Sequence, residues 1–187
     1  MLSFFLVRSN MKVLAVDQAR HGAWSLYDYE NKSLMAYGTY DFDNRNYTFE
    51  SAVVKIEALI DELINTHGVD AVFFEDIQLR KNAQSFKKLA QLQGVLVNLC
   101  EKNEYLYGII SPSQWQSYCM ARGRSTKEQK AKLKELEQKD GKKASKVLSI
   151  QYVKDNFGID TDNDNLADAV CIGWFAVNNI PLRKAKN

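Results

Sequence analysis

Histidine and cysteine are scarce in this chain, with two and three copies among 187 residues. His21 and His67 stand far apart, and neither neighbours Cys100, Cys119 or Cys171. A Cys/His zinc site needs clustered nitrogen and sulfur ligands, so none is expected, and catalysis through a histidine network is equally disfavoured. Three widely spaced, unpaired cysteines suit a reducing cytosol, with buried thiols as the simple reading. No apolar run approaches the ~18 to 20 residues that span a bilayer. The opening "MLSFFLVRSNMKVLAVD" has a short apolar patch, but its basic residue follows the patch and no small-residue cleavage site appears. A signal peptide is therefore not expected. Either Met1 or Met11 can serve as the start, which makes residues 1–11 an N-terminal extension.

What is present is ordinary globular material: 45% hydrophobic and 26% charged residues, enough to bury a core. The length fits one domain with an insertion. The net charge of +2 is unevenly spread. Residues 122–146 hold ten Lys/Arg, including Arg122, Arg124, Lys142, Lys143 and Lys146, against four acids. That segment is either a solvated, partly helical surface loop or a basic patch for phosphate backbones, and charge alone does not choose. Residues 181–187 form a basic tail.

Along the chain, "KVLAVD" (12–17) reads as a buried strand ending in an acid. Residues 23–29 and 33–40 read as a hairpin turned by "ENK". An amphipathic helix is predicted from Thr48 to Thr66 with Gly68 as its stop. "VDAVFFED" (69–76) reads as a strand covered on both faces, followed by a helix over 81–102 and a strand at 105–111. Pro112 opens a short helix carrying Trp115 and Tyr118. Beyond the basic segment, "ASKVLSIQYVKDNFG" and then an aspartate-led run are helical. A hairpin followed by alternating helices and strands predicts an α/β domain over 12–180, a mixed sheet flanked by helices.

Acids recur at the ends of these elements. Asp17 ends the first strand, Glu75 ends the fourth, and Asp168 sits in the last helix with Asp164 one turn before it. Ligand sites in open sheets form beyond strand ends. Convergent carboxylates raise one another's pKa, a penalty that a bound cation removes. Oxygen-only ligands favour Mg²⁺ or Mn²⁺, and two such ions can drive phosphodiester hydrolysis. Asp162 and Asp164 suit helix caps as well as ligands. Asp76, beside Glu75, is expected on the opposite face, in solvent or loop.

Three motifs then carry a resemblance. "EDIQLRKNAQSFKKLAQLQG" (75–94) resembles the second motif of RuvC-type Holliday junction resolvases, a Glu at a strand end followed by K-N-A-x-S-x-x-K-L-x-Q-x-x-G. Lys81, Asn82, Ala83, Ser85, Lys88, Leu89, Gln91 or Gln93, and Gly94 fill it. "VLAVDQARHGAWSL" resembles the first motif and "LADAVCIGWF" the terminal one, in family order. The resemblance implies an RNase H-like five-stranded fold, a homodimer, and Mg²⁺- or Mn²⁺-dependent nicking of four-way DNA junctions with two ions. It maps the catalytic, metal-holding acids onto Asp17, Glu75 and Asp168. It places Lys146 near the scissile phosphate and the motif residues Lys81, Asn82 and Ser85 along DNA, where the charge of the basic segment adds Arg122, Arg124, Lys142 and Lys143 as expected contacts.

The chain departs from the family pattern in several places. Asn165 stands where a fourth acid is usual, so either Asp164 or Asn165 completes the metal set. Gln18-Ala19 replaces Pro-Gly, Gln78 replaces an aromatic, and 122–143 is longer than in cellular enzymes. Such variation resembles phage or mobile-element relatives. Partners expected are branched DNA and a second copy of the chain, through Phe86, Leu89 and Val97. No membrane and no organic cofactor are expected, and the location is the cytoplasm of a bacterial or phage-infected cell. Two alternatives stay open: another RNase H-like nuclease acting on RNA–DNA hybrids or generic branched DNA, and a catalytically silent junction-binding protein.

Overall fold

The computed structural model describes residues 10–78, 82–121 and 144–182. Five strands form one sheet: β1 (Lys12–Asp17), β2 (His21–Asp28), β3 (Ser33–Asp41), β4 (Ala71–Glu75) and β5 (Leu106–Ile110). Their order is β3-β2-β1-β4-β5. β1 pairs antiparallel with β2 and parallel with β4, and β4 pairs parallel with β5. This is the mixed sheet expected. The strand expected at 23–29 starts earlier, at His21, because the hairpin ladder runs to His21↔Asp41.

Among the described residues, five helices cover the sheet: α1 (Phe49–His67), α2 (Ala83–Lys102), α3 (Pro112–Tyr118), α4 (Ala144–Phe157) and α5 (Asp164–Asn179). Thr48 caps α1 by accepting from the Ser51 N–H, and Gly68 ends it in the left-handed region at φ 62°. A side chain there would strain the backbone. Asn82 caps α2 by accepting from the Gln84 and Ser85 N–H groups. The proposed DNA contacts Lys81, Arg122, Arg124, Lys142 and Lys143, the insertion at 122–143 and the tail after Leu182 lie outside the described residues, as do residues 1–9.

The two faces of β1 and β4 bury two separate cores. Leu14, Val16, Val72 and Phe74 pack with α1 and α2, against residues such as Ile56, Ile60, Leu92 and Leu96. Val13, Ala15, Ala71 and Phe73 pack with α3, α4 and α5, against Trp115, Val153, Val170 and Cys171. Successive side chains of a strand alternate between faces. Asp17 and Glu75 continue the second set, so their side chains belong to the α5 side of the sheet. That parity is what places the site.

α5 is tied to the sheet at a fixed depth. The Ser25 hydroxyl donates to the Ala169 carbonyl at 2.7 Å, and the Tyr27 phenol donates to the Val170 carbonyl at 2.9 Å, both buried. Gly173 permits this approach: a Cβ there would stand 2.5 Å from the Tyr27 ring and 2.7 Å from the Ser25 hydroxyl.

Candidate active site

A cleft of about 410 Å³ opens beyond the ends of β1 and β4. Asp17, Glu75, Asp168 and Asn165 line it, together with Asn82, Ser85 and Lys146. The structure thus brings together residues that are 93 positions apart in the chain, from Glu75 to Asp168. All three carboxylates are half-buried. Near Asp17, the Tyr40 phenol is pushed well above its ordinary pKa, first by burial and then by the Asp17 charge. One turn along α5 from Asp168, the Cys171 thiol is also pushed up, first by its contact with Cys119, then by burial, with Asp168 adding to both. That thiol stays protonated and neutral beside the acids.

Glu75 is held at every level. Its N–H donates to Gln18 Oε1 at 3.1 Å, and its carbonyl accepts from Gln18 Nε2. A second carboxamide, Gln93 Nε2, donates to the same carbonyl at 3.0 Å. The carboxylate itself accepts from the Trp115 indole N–H, with Nε1 and Oε1 2.9 Å apart. Gln18 and Gln93 are buried polar residues, 4% and 9% exposed. Burial of a carboxamide is costly unless its groups are paired, and the Glu75 backbone supplies that pairing.

Asp164 is placed differently from Asp168. It is absent from the cleft lining, and its Oδ2 forms an ion pair with Lys146 Nζ. Nor is it the cap of α5: Asn163 is, accepting from the Leu166 N–H at 3.1 Å. The cap expected at Asp162 or Asp164 thus falls on the asparagine between them. Asn165 lines the cleft, and its Nδ2 donates to the His21 carbonyl at 2.7 Å. A carbonyl can only accept, so the amide nitrogen must face His21, which leaves Oδ1 on the other side.

Asp76 is exposed and lies in the loop after β4, as expected of it, and it also lines the cleft. β4 ends at Glu75, and the Asp76 N–H turns to the Ile110 carbonyl at 2.8 Å. Strand alternation therefore no longer applies to it. Gln18, Gln116 and Asp76 are lining residues that sequence reasoning did not select. Among the described residues, no three His, Cys, Asp or Glu side chains are already gathered as a cation cage.

The family model of the crossover junction endodeoxyribonuclease RuvC matches residues 20–150. The chain belongs to the RuvC family. Its match to that model includes Glu75 and leaves Asp17, Asp164 and Asp168 outside. A RuvC from Sorangium cellulosum (strain So ce56) is 32% identical over 90 residues, covering 46% of this chain and 50% of the relative. A RuvC from Sulfurovum sp. (strain NBC37-1) is 29% identical over 125 residues, covering 65% of this chain and 77% of the relative. Among solved structures, T. thermophilus RuvC in complex with a Holliday junction substrate superposes with TM-score 0.64 at 14% identity, covering 90% of this chain and 95% of that one. The yeast mitochondrial Holliday junction resolvase gives TM-score 0.55 at 16% identity, covering 89% and 78%. These likenesses show the fold, the RNase H-like architecture that the RuvC motifs implied. No helix among the described residues is long and apolar enough to cross a membrane.

Proposed function

We propose that this chain is a divalent-metal-dependent endonuclease that nicks four-way DNA junctions. One observation carries the reading: the alternation of β1 and β4 sets Asp17 and Glu75 on one face, in a cleft that α5 completes with Asp168. The donor set is all oxygen, which fits Mg²⁺ or Mn²⁺ better than softer ions. Asp17, Glu75 and Asp168 would hold the metal, with the Asn165 carboxamide oxygen as the neutral fourth donor. When bound, two such ions supply charge neutralisation at the phosphodiester and activation of water.

The remaining work falls to the protein's own groups. Asn82 and Ser85 line the cleft at the start of α2, where a helix N-terminus favours phosphate. Lys146, held by Asp164 on one side and reaching the cleft on the other, is set to meet a phosphate oxygen and draw the strand over the carboxylates. The basic residues of 122–143 would extend the grip along the backbone, making binding salt-dependent. A second copy of the chain, joined through α2, would present a second cleft to the symmetric junction.

The test is nicking of a synthetic four-way junction in Mg²⁺ by wild type, Asp17→Asn and Glu75→Gln. Each variant should lose more than about a hundredfold, since even outer-shell losses at metal sites cost 10–100-fold. Undiminished cleavage in either variant overturns the assignment. A panel at matched salt separates the substrate classes, and preference for an RNA–DNA hybrid would replace the junction by a hybrid. A silent junction-binding protein is favoured by a single observation, Asn165 in place of an acid. Tight junction binding without cleavage in Mg²⁺ and Mn²⁺ would establish it.

A further inference from the structure

The sequence marks α3 only as a short helix opened by Pro112, and the metal-site reading above leaves it without a task. Its geometry is nevertheless specific. The Ser111 N–H donates to Gln114 Oε1 at 3.1 Å, and Pro112 sits in the first turn, so the helix starts at a defined residue. Trp115 follows one step later. Its ring is 1% exposed, packed in the core that α4, α5 and the β1–β4 face share. A buried indole N–H can only donate, and it needs an acceptor. The acceptor it finds is the Glu75 carboxylate, 40 residues away and 2.9 Å distant.

The geometry points to Trp115 as a positioning residue whose indole N–H fixes the rotamer of the Glu75 carboxylate for metal binding at the cleft. This rests on the reading of Glu75 as a metal-holding acid. Gln18 and Gln93 hold the backbone of Glu75, whereas the indole acts on the carboxylate itself. A rigid ring sealed into the core restrains the three side-chain torsions through a charge-assisted hydrogen bond. A phenylalanine would fill much of the same core without requiring any partner. The N–H therefore carries information that packing alone does not. Gln116, the next residue, lines the cleft, so α3 contributes a floor as well as a brace.

The experiment compares wild type, Trp115→Phe, Glu75→Gln and the double variant by Mn²⁺ affinity without DNA. In parallel, the three tryptophan indole resonances are followed in ¹⁵N-labelled protein, the Trp115 signal being the one absent from Trp115→Phe. Hydrogen bonds to charged groups suggest that Trp115→Phe weakens Mn²⁺ binding by roughly tenfold. The double variant should then bind no more weakly than Glu75→Gln, and the Trp115 signal should move in Glu75→Gln. In the nicking assay, kcat should fall about tenfold with junction affinity unchanged. Additive losses in the double variant, an unmoved indole signal, or unchanged Mn²⁺ affinity in Trp115→Phe would overturn the proposal. If Trp115→Phe fails to fold, benzothienylalanine at 115 keeps the ring shape without the N–H and is read in the same way. A wild-type protein that binds Mn²⁺ with this coupling yet nicks no junction would sink the endonuclease reading and uphold the brace.

Discussion

Gln18 stands in for a missing strand residue opposite Glu75. The β1–β4 ladder ends at Val16↔Phe74. One residue later, the Gln18 carboxamide accepts from the Glu75 N–H and donates to its carbonyl, as a backbone peptide would. A side chain thus extends the sheet to the residue where chemistry begins. Gln18→Ala would remove the acceptor of the part-buried Glu75 N–H and one of the donors to its carbonyl. It should cost about 1–3 kcal/mol, read as a lowered urea midpoint, and cleavage should fall with it.

Asn165 should not tolerate the acid that the family pattern would place there. Its nitrogen donates to the His21 carbonyl, and Asn165→Asp would set a carboxylate oxygen against that carbonyl. The variant should be less stable by about 0.5–1.5 kcal/mol in metal-free buffer. Added Mg²⁺ should recover part of the loss. Thermal melts with and without the ion measure both effects.

Gly173→Ala should be costly although alanine favours helices. The new methyl group would need space held by the Tyr27 ring and the Ser25 hydroxyl, and overpacking of this kind costs about 1–3 kcal/mol. Because those two side chains also bond to the Ala169 and Val170 carbonyls, α5 would lift and carry Asp168 with it. Nicking should therefore drop by more than the loss of folded protein explains, a difference that activity per folded molecule reveals.

The β2–β3 hairpin should weaken in acid. Asp28 accepts from the Asn31 N–H at 2.8 Å and from its Nδ2 at 2.9 Å. The Asn31 N–H holds its carboxyl below the ordinary value, outweighing the burial that opposes it. A lowered folded-state pKa means the stabilisation is complete above the unfolded value, near 4, and is lost as pH falls through the folded one. Asp28→Ala should thus be destabilised by about 1–3 kcal/mol at pH 7. The gap to wild type should close as the pH drops well below 4. Urea midpoints at several pH values check it.

How much of this was legible in the sequence depended on the reach of each interaction. The strands ending at Asp17 and Glu75, the Thr48 start and the Gly68 stop were readable, because periodicity and capping are local. The cap of α5 falls on Asn163 rather than on Asp162 or Asp164, because a cap needs only a side-chain oxygen three residues ahead of an amide, which asparagine supplies as well as aspartate. The Trp115–Glu75, Gln18–Glu75 and Asn165–His21 contacts left no local trace. Each joins residues 40 or more positions apart and follows only from the strand order. Asp76 was legible as an exposed loop residue, but its place in the cleft was not, because strand alternation stops at Glu75.

The alternation that puts Asp17 and Glu75 on one face also says which changes in length the site can survive. The loops and helices between β1 and β4 can lengthen or shorten while the two acids keep facing the same way. One residue inserted between Ala71 and Glu75 would send Glu75 across to the α1–α2 side. Odd and even, rather than near and far, is the rule that chain-length variants of this protein must obey.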